Sequence, residues 1–150
     1  MRQMSLFKGK RQRGISPPPP PPEFNTHVVL ADLLKRWGNP QWRWTHLPLG
    51  EHREHRINPK TGKRYSLTGQ RLQRMGVNPG WPDFVFAGPG CSIFWLELKR
   101  LKRGRMSEEQ SDIAAHLVAC GFAYLCTSSL DDAVATLKQL GILRPNIQVQ

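Results

Sequence analysis

The sequence predicts an α/β sandwich in which a small mixed β-sheet is flanked by helices. Two observations carry that expectation. Segments with helical spacing of apolar residues alternate with short runs of aromatic and β-favouring residues, in the order helix, strand, helix, two strands, helix, strand, helix. The 150 residues, 39% of them apolar, suffice for one core rather than two.

Taken in order, residues 1–16 are basic and contain Gly and Ser, and residues 17–22 are all proline, which favours an extended spacer. Residues 1–22 are therefore expected to form a disordered tail, residues 23–143 the folded domain and residues 144–150 a second tail. The first helix carries Val28, Ala31 and Leu34, and Val29, Leu33 and Trp37, at helical spacing until Gly38-Asn39-Pro40 stops it, with Glu23 in its first turn. Trp42-Arg43-Trp44-Thr45-His46-Leu47 reads as a strand ending at Pro48. Residues 50–65 are polar and include Arg53, Arg56, Lys60, Lys63 and Arg64, a basic loop expected to be mobile until it meets a ligand. Residues 66–75 suit a short helix exposing Arg71 and Arg74, stopped by Gly76.

Residues 83–87 and 92–99 read as two strands of a hairpin turned by Gly88-Pro89-Gly90. Ser107 opens a helix carrying Ile113, Ala114, Leu117 and Val118 up to Gly121, and residues 122–127 form an apolar strand. Ser129-Leu130-Asp131-Asp132 has capping spacing ahead of Ala133, Val134, Leu137 and Leu140, with Gly141 closing the last helix.

The formal net charge of +11 is unevenly spread. Residues 1–22 hold five basic and no acidic side chains, residues 23–79 ten and four, and residues 80–150 seven of each. The positive field belongs to the front half and points to a polyanionic partner. No stretch approaches the roughly 20 apolar residues of a membrane span, and the start of the chain lacks a basic-then-apolar leader. The expectation is no membrane partner and a cytoplasmic protein of prokaryotic or phage type. Cys91, Cys120 and Cys126 are odd in number and scattered in apolar surroundings, so buried thiols are expected rather than a disulfide framework or a zinc ribbon.

On Ile93-Phe94-Trp95-Leu96-Glu97-Leu98-Lys99 the side chains alternate, so Glu97 and Lys99 share one face while Phe94, Leu96 and Leu98 enter the other. Hairpin pairing brings Asp83 towards Glu97. Two converging carboxylates suit a hard divalent cation, and an adjacent lysine can orient water or stabilise charge developing on a phosphate.

Pro82-Asp83 followed by Glu97-Leu98-Lys99 resembles the signature of the PD-(D/E)xK nuclease superfamily. Within it, Gly76-Val77-Asn78-Pro79-Gly80-Trp81-Pro82-Asp83, Leu96-Glu97-Leu98-Lys99 and Ser107-Glu108-Glu109-Gln110 with the later Gly121 resemble the VRR-NUC family, over about residues 23–143. The resemblance implies a restriction-endonuclease-like sandwich. It also implies that Asp83 and Glu97 bind Mg2+ or Mn2+ together with the main-chain carbonyl of Leu98, and that Lys99 is the catalytic lysine. The family's acidic residue on the first helix maps to Glu23, as a further metal ligand, and its glutamine after the motif to Gln110. Ser107 to Gln110 equally satisfies a capping box, so both readings of Gln110 stand.

Trp81 departs from the family's usual Val or Ile, as a packing change or a base-stacking platform. His27, one turn after Glu23, faces the same way and suits either water positioning or a structural role. His52 and His55 suit phosphate contact at most, and His46 and His116 carry no specific signal. Arg100, Lys102, Arg103 and Arg105 read as phosphate contacts beside those of the basic loop.

The expected function is magnesium-dependent DNA endonuclease activity. Stand-alone members of the family act on branched DNA such as four-way junctions, some as homodimers, which makes those the expected substrate and assembly. Two alternatives remain: a non-catalytic nucleic-acid-binding module, and a site-specific restriction-type nuclease, which would need a base-reading element. Deleting residues 1–16 should weaken DNA binding and flatten its salt dependence without abolishing turnover at low salt. An unchanged slope of affinity against salt would remove the tail from the interface.

Overall fold

The structure is a computed structural model and describes residues 22–48, 56–100 and 104–145. Its elements are α1 (Pro22–Trp37), β1 (Arg43–His46), β2 (Arg56–Ile57), β3 (Arg64–Tyr65), α2 (Leu67–Arg74), β4 (Phe84–Gly88), β5 (Ser92–Leu98), α3 (Glu108–Ala119), β6 (Ala123–Thr127) and α4 (Leu130–Gln139). Four strands form one mixed sheet in the order β1-β4-β5-β6. β1 and β5 run antiparallel to β4, while β6 joins β5 in parallel through the α3 crossover.

Strand alternation sorts the residues between two faces. Phe84 and Phe86 of β4 stand beside Leu96 and Phe94 of β5, and all four are buried. They join Leu30 and Leu34 of α1, Ala133, Val134 and Leu137 of α4, and Ile142 and Leu143 in one apolar cluster. α1 and α4 therefore cover this face. α3 covers the other, where Gln110 reaches Glu97. The mixed α/β fold with helices on both faces of a small sheet agrees with the sequence reading at that level.

Turn and cap chemistry sets the boundaries. Ser66, Ser107 and Ser129 each accept a backbone N–H three residues on, starting α2, α3 and α4. Gly76, Gly121 and Gly141 follow these helices with positive φ. α1 begins at Pro22, so the last proline of the run belongs to the helix; its missing N–H costs little in a first turn. At the other end, Gly38 bridges Leu143 and Arg144 N donates to Trp37 O at 3.1 Å, which ties Arg144 to the domain instead of to a tail. The remainder of the two tails lies outside the described residues.

Three expectations are corrected. Within the basic segment, residues 56–65 are not a loop: β2 and β3 pair antiparallel there, around a turn in which Asn58 Oδ1 accepts from Lys60 N and Thr61 N. The side of α1 turned to the sheet carries His27, Leu30 and Leu34, whereas Val28, Val29 and Trp37 are exposed. The buried side runs between the two stripes read from the sequence, taking Leu34 from one and adding His27 and Leu30, which join Phe84 and Phe86 in the core. The thiols are not buried either: Cys91 and Cys120 are exposed and Cys126 is half-buried. Cys91 sits in the β4–β5 turn with φ of 59°, and Cys120 caps α3, both places where the chain must reverse at the surface.

Among the described residues no helix is long and apolar enough to cross a membrane. Phe84 is fully buried and touches the rings of His27, Trp44, His46 and Phe86. Phe84→Ala should cost about 3–5 kcal/mol of unfolding free energy. Urea denaturation measures this, and a loss below about 1 kcal/mol would contradict the packing described.

Candidate active site

The site is built where the β4–β5 hairpin ends. Phe84 pairs with Leu96, so extending that register by one residue sets Asp83 opposite Glu97. Asp83 bends out of the strand, and its side chain replaces a backbone partner: Leu98 N donates to Asp83 Oδ2 at 2.8 Å. The Asp83 carbonyl accepts from Leu47 N at 2.7 Å, just beyond β1. Asp83 is thus held from both neighbouring strands. In an extended strand the N–H and C=O of one residue point to the same edge, so the Leu98 carbonyl faces the Asp83 side. The next residue turns the other way, and Lys99 N donates to Thr127 O at 2.8 Å, which extends the β5–β6 ladder.

Alternation puts Glu97 on the face covered by α3, where it is 3% exposed. Its Oε1 accepts from Lys99 Nζ at 2.6 Å and from Gln110 Nε2 at 2.7 Å, and Lys99 Nζ also donates to Gln110 Oε1 at 2.6 Å. Burial pushes the Glu97 carboxyl above its ordinary range and the nearby Asp83 charge adds to the rise, while the hydrogen bond and charge of Lys99 oppose it. Two like charges are forced together, and one ammonium compensates them in part.

Gln110 answers both readings. Its backbone N–H donates to Ser107 Oγ at 3.2 Å and its Oε1 accepts from Ser107 N at 3.1 Å, a complete capping box. The same side chain spans Glu97 and Lys99. One side chain thus caps α3 and bridges the two charged residues. Gly80 fixes the opposite wall: with φ of +95°, it lies so close to α3 that a Cβ there would stand 2.6 Å from Glu109 O. Trp81 packs against Trp95, ring centroids 5.2 Å apart, and stays half-buried.

Beside Lys99, a cleft of about 350 Å³ is lined by Arg100, Arg105, Cys126 and Thr127. Cys126 pairs with Glu97 in the parallel ladder and so shares its face. Burial raises its thiol above the ordinary value, with the Lys99 charge opposing. Arg71 and Arg74 line a different hollow, on α2. Arg56, Lys60, Lys63 and Arg64 are exposed on the β2–β3 hairpin. The Glu23 side chain, Arg53, Lys102, Arg103, His52 and His55 lie outside the described residues.

On the α1 side, His27 Nε2 stands 3.4 Å from Asp83 Oδ2. His46, which carried no signal in the sequence, packs against His27 with centroids 4.9 Å apart. Its inward direction follows from alternation with Trp44. Its closeness to Asp83 follows only from the β1–β4 register, in which His46 faces Phe84. Ligand atoms of His27, His46 and Asp83 all lie within 4.8 Å of one another.

Comparisons with protein families, with curated proteins and with solved structures each found no match.

Two measurements probe the site. A carboxyl whose folded pKa is raised binds its proton more readily folded than unfolded, so stability falls as pH climbs from the ordinary value of 4.5 through the folded one. Without divalent metal, the wild type should therefore lose stability relative to Glu97→Gln across that window in urea unfolding. A difference that does not change with pH would contradict the raised value. Ser107→Ala should cost about 1 kcal/mol as a lost cap. Gln110→Ala should cost a further 1.5–3 kcal/mol or so, because it also strips charged partners at Glu97 and Lys99. Equal losses would reduce Gln110 to a cap.

Proposed function

We propose that this protein is a magnesium-dependent DNA endonuclease with a restriction-endonuclease-like core. The observation that carries the reading is the convergence of Asp83, Glu97, Lys99 and Gln110 at one end of the sheet, with the Leu98 carbonyl on the Asp83 side. The resemblance of Pro82-Asp83 and Glu97-Leu98-Lys99 to the PD-(D/E)xK signature, and of the surrounding segments to the VRR-NUC family, supports the same reading. The preference for branched DNA and the homodimeric assembly rest on that resemblance.

The residues fit a hard cation. Asp83 and Glu97 are close enough for the charge of one to raise the proton affinity of the other, a repulsion that a divalent ion would relieve. Asp83, Glu97 and the Leu98 carbonyl would hold Mg2+ or Mn2+, with Glu23 as a further ligand from α1. Such an ion supplies positive charge that activates water and offsets charge on the phosphate.

The chain's own groups supply the rest. Two donors of the Lys99 ammonium are directed to Glu97 and Gln110, which leaves the third for a phosphate oxygen or the attacking water. Gln110 holds Lys99 and Glu97 in register, so the ammonium is aimed before substrate arrives. Arg100 and Arg105 line the cleft beside Lys99, where phosphates flanking the cut would lie.

The test is a magnesium-dependent nicking assay on linear, flapped and four-way-junction DNA. The wild type should cut the junction. Asp83→Ala and Lys99→Ala should each lose at least about 10²-fold in rate while still binding it. Cleavage by both variants at the parent rate overturns the site. Binding without cleavage of any substrate, unaffected by divalent metal, would favour a non-catalytic module, and a fixed cleavage sequence on linear duplex a restriction-type enzyme.

A further inference from the structure

The carboxylate of Asp83 has a second neighbourhood, on the side away from Glu97. Three elements meet there: α1 brings His27, the end of β1 brings His46, and the bend before β4 brings Asp83. One donor atom from each lies within 4.8 Å of the other two. The placement follows from packing of regular elements. Both rings lie against the fully buried Phe84, at centroid distances of 5.6 and 4.9 Å, and the Asp83 backbone is tied to Leu47. His27 is 8% exposed, and the Nε2 atoms of both rings are shielded from solvent.

The donor chemistry of this group differs from that of the pair formed by Asp83 and Glu97. Two imidazole nitrogens with one carboxylate oxygen suit borderline transition metals, whereas Mg2+ selects oxygen donors and retains its waters. The dimensions also agree. Bonds of about 2.0–2.2 Å in a tetrahedral arrangement separate ligand atoms by roughly 3.3–3.6 Å. The His27–Asp83 separation of 3.4 Å already has that value, and the other separations, all within 4.8 Å, need close by at most about 1.5 Å, within reach of small ring rotations.

We propose that His27, His46 and Asp83 form a binding site for a zinc-class transition metal, with Asp83 shared between this site and the carboxylate pair. The two histidines select the metal, because imidazole favours Zn2+ and Co2+ over Mg2+. The site does not depend on the nuclease reading: it requires only the three side chains.

The test uses the full, untagged chain and the metals alone. Co2+ titration followed by visible absorption should show one ion per chain, retained in a large excess of Mg2+. X-ray absorption of the Zn2+-loaded wild type should show two imidazoles in the first shell, a result independent of how any variant folds. His27→Gln and His46→Gln should each weaken Co2+ binding at least about tenfold, and the exposed His116→Gln less than about threefold. A shell of oxygen alone or one containing sulfur, displacement by Mg2+, or a loss in His116→Gln as large as in the other two histidine variants overturns the proposal. Junction cleavage does not enter these measurements, so the absence of cleavage would leave the site standing, and the absence of Co2+ binding would leave the proposed cleavage standing.

Discussion

The register between β4 and β5 is the constraint on which the site depends. Phe84 opposite Leu96 sets Asp83 beside Glu97 and lets the Asp83 carboxylate take the N–H of Leu98. Side chains alternate with a period of two, so slipping this pairing by one residue would carry Glu97 to the apolar face and Leu96 to the side covered by α3. The register is defended by Phe84, Phe86, Phe94 and Leu96, all buried against α1 and α4. The core thus fixes the placement of charges that lie outside it.

Those charges form a partly compensated set. Glu97 is buried with Asp83 close by, and Lys99 and Gln110 both direct donors at one of its oxygens. Burying an ion pair rarely adds stability, since desolvation offsets most of the attraction. Such a group is a weak support of the fold, and a perturbed carboxylate of this kind is what the proposed nuclease chemistry would use.

Local patterns made much of this legible. Alternation along residues 93–99 placed Glu97 and Lys99 on one face, and Ser-x-x-Gln marked the start of α3, because both depend on neighbours in the chain. What escaped depended on contacts between distant segments. His46 came beside His27 only through the pairing of β1 with β4, and the burial of Glu97 required α3 to close over it. The side of α1 that faces the core escaped because it lies between the two apolar stripes and includes the polar His27. The β2–β3 hairpin was hidden by its composition: each strand is two residues long, and the polar residues around them read as a loop.

The double use of Gln110 links two events that are separate in most proteins. The first turn of a helix ordinarily frays at small cost, since its leading N–H groups have no partner within the helix. In α3 the residue that closes that turn also holds the ammonium of Lys99 against Glu97. Opening the turn therefore withdraws Gln110 from both charged groups and leaves Lys99 and Glu97 only their direct contact. The alignment of the site is coupled in this way to one helical turn, and Ser107, which carries no charge, takes part in setting it.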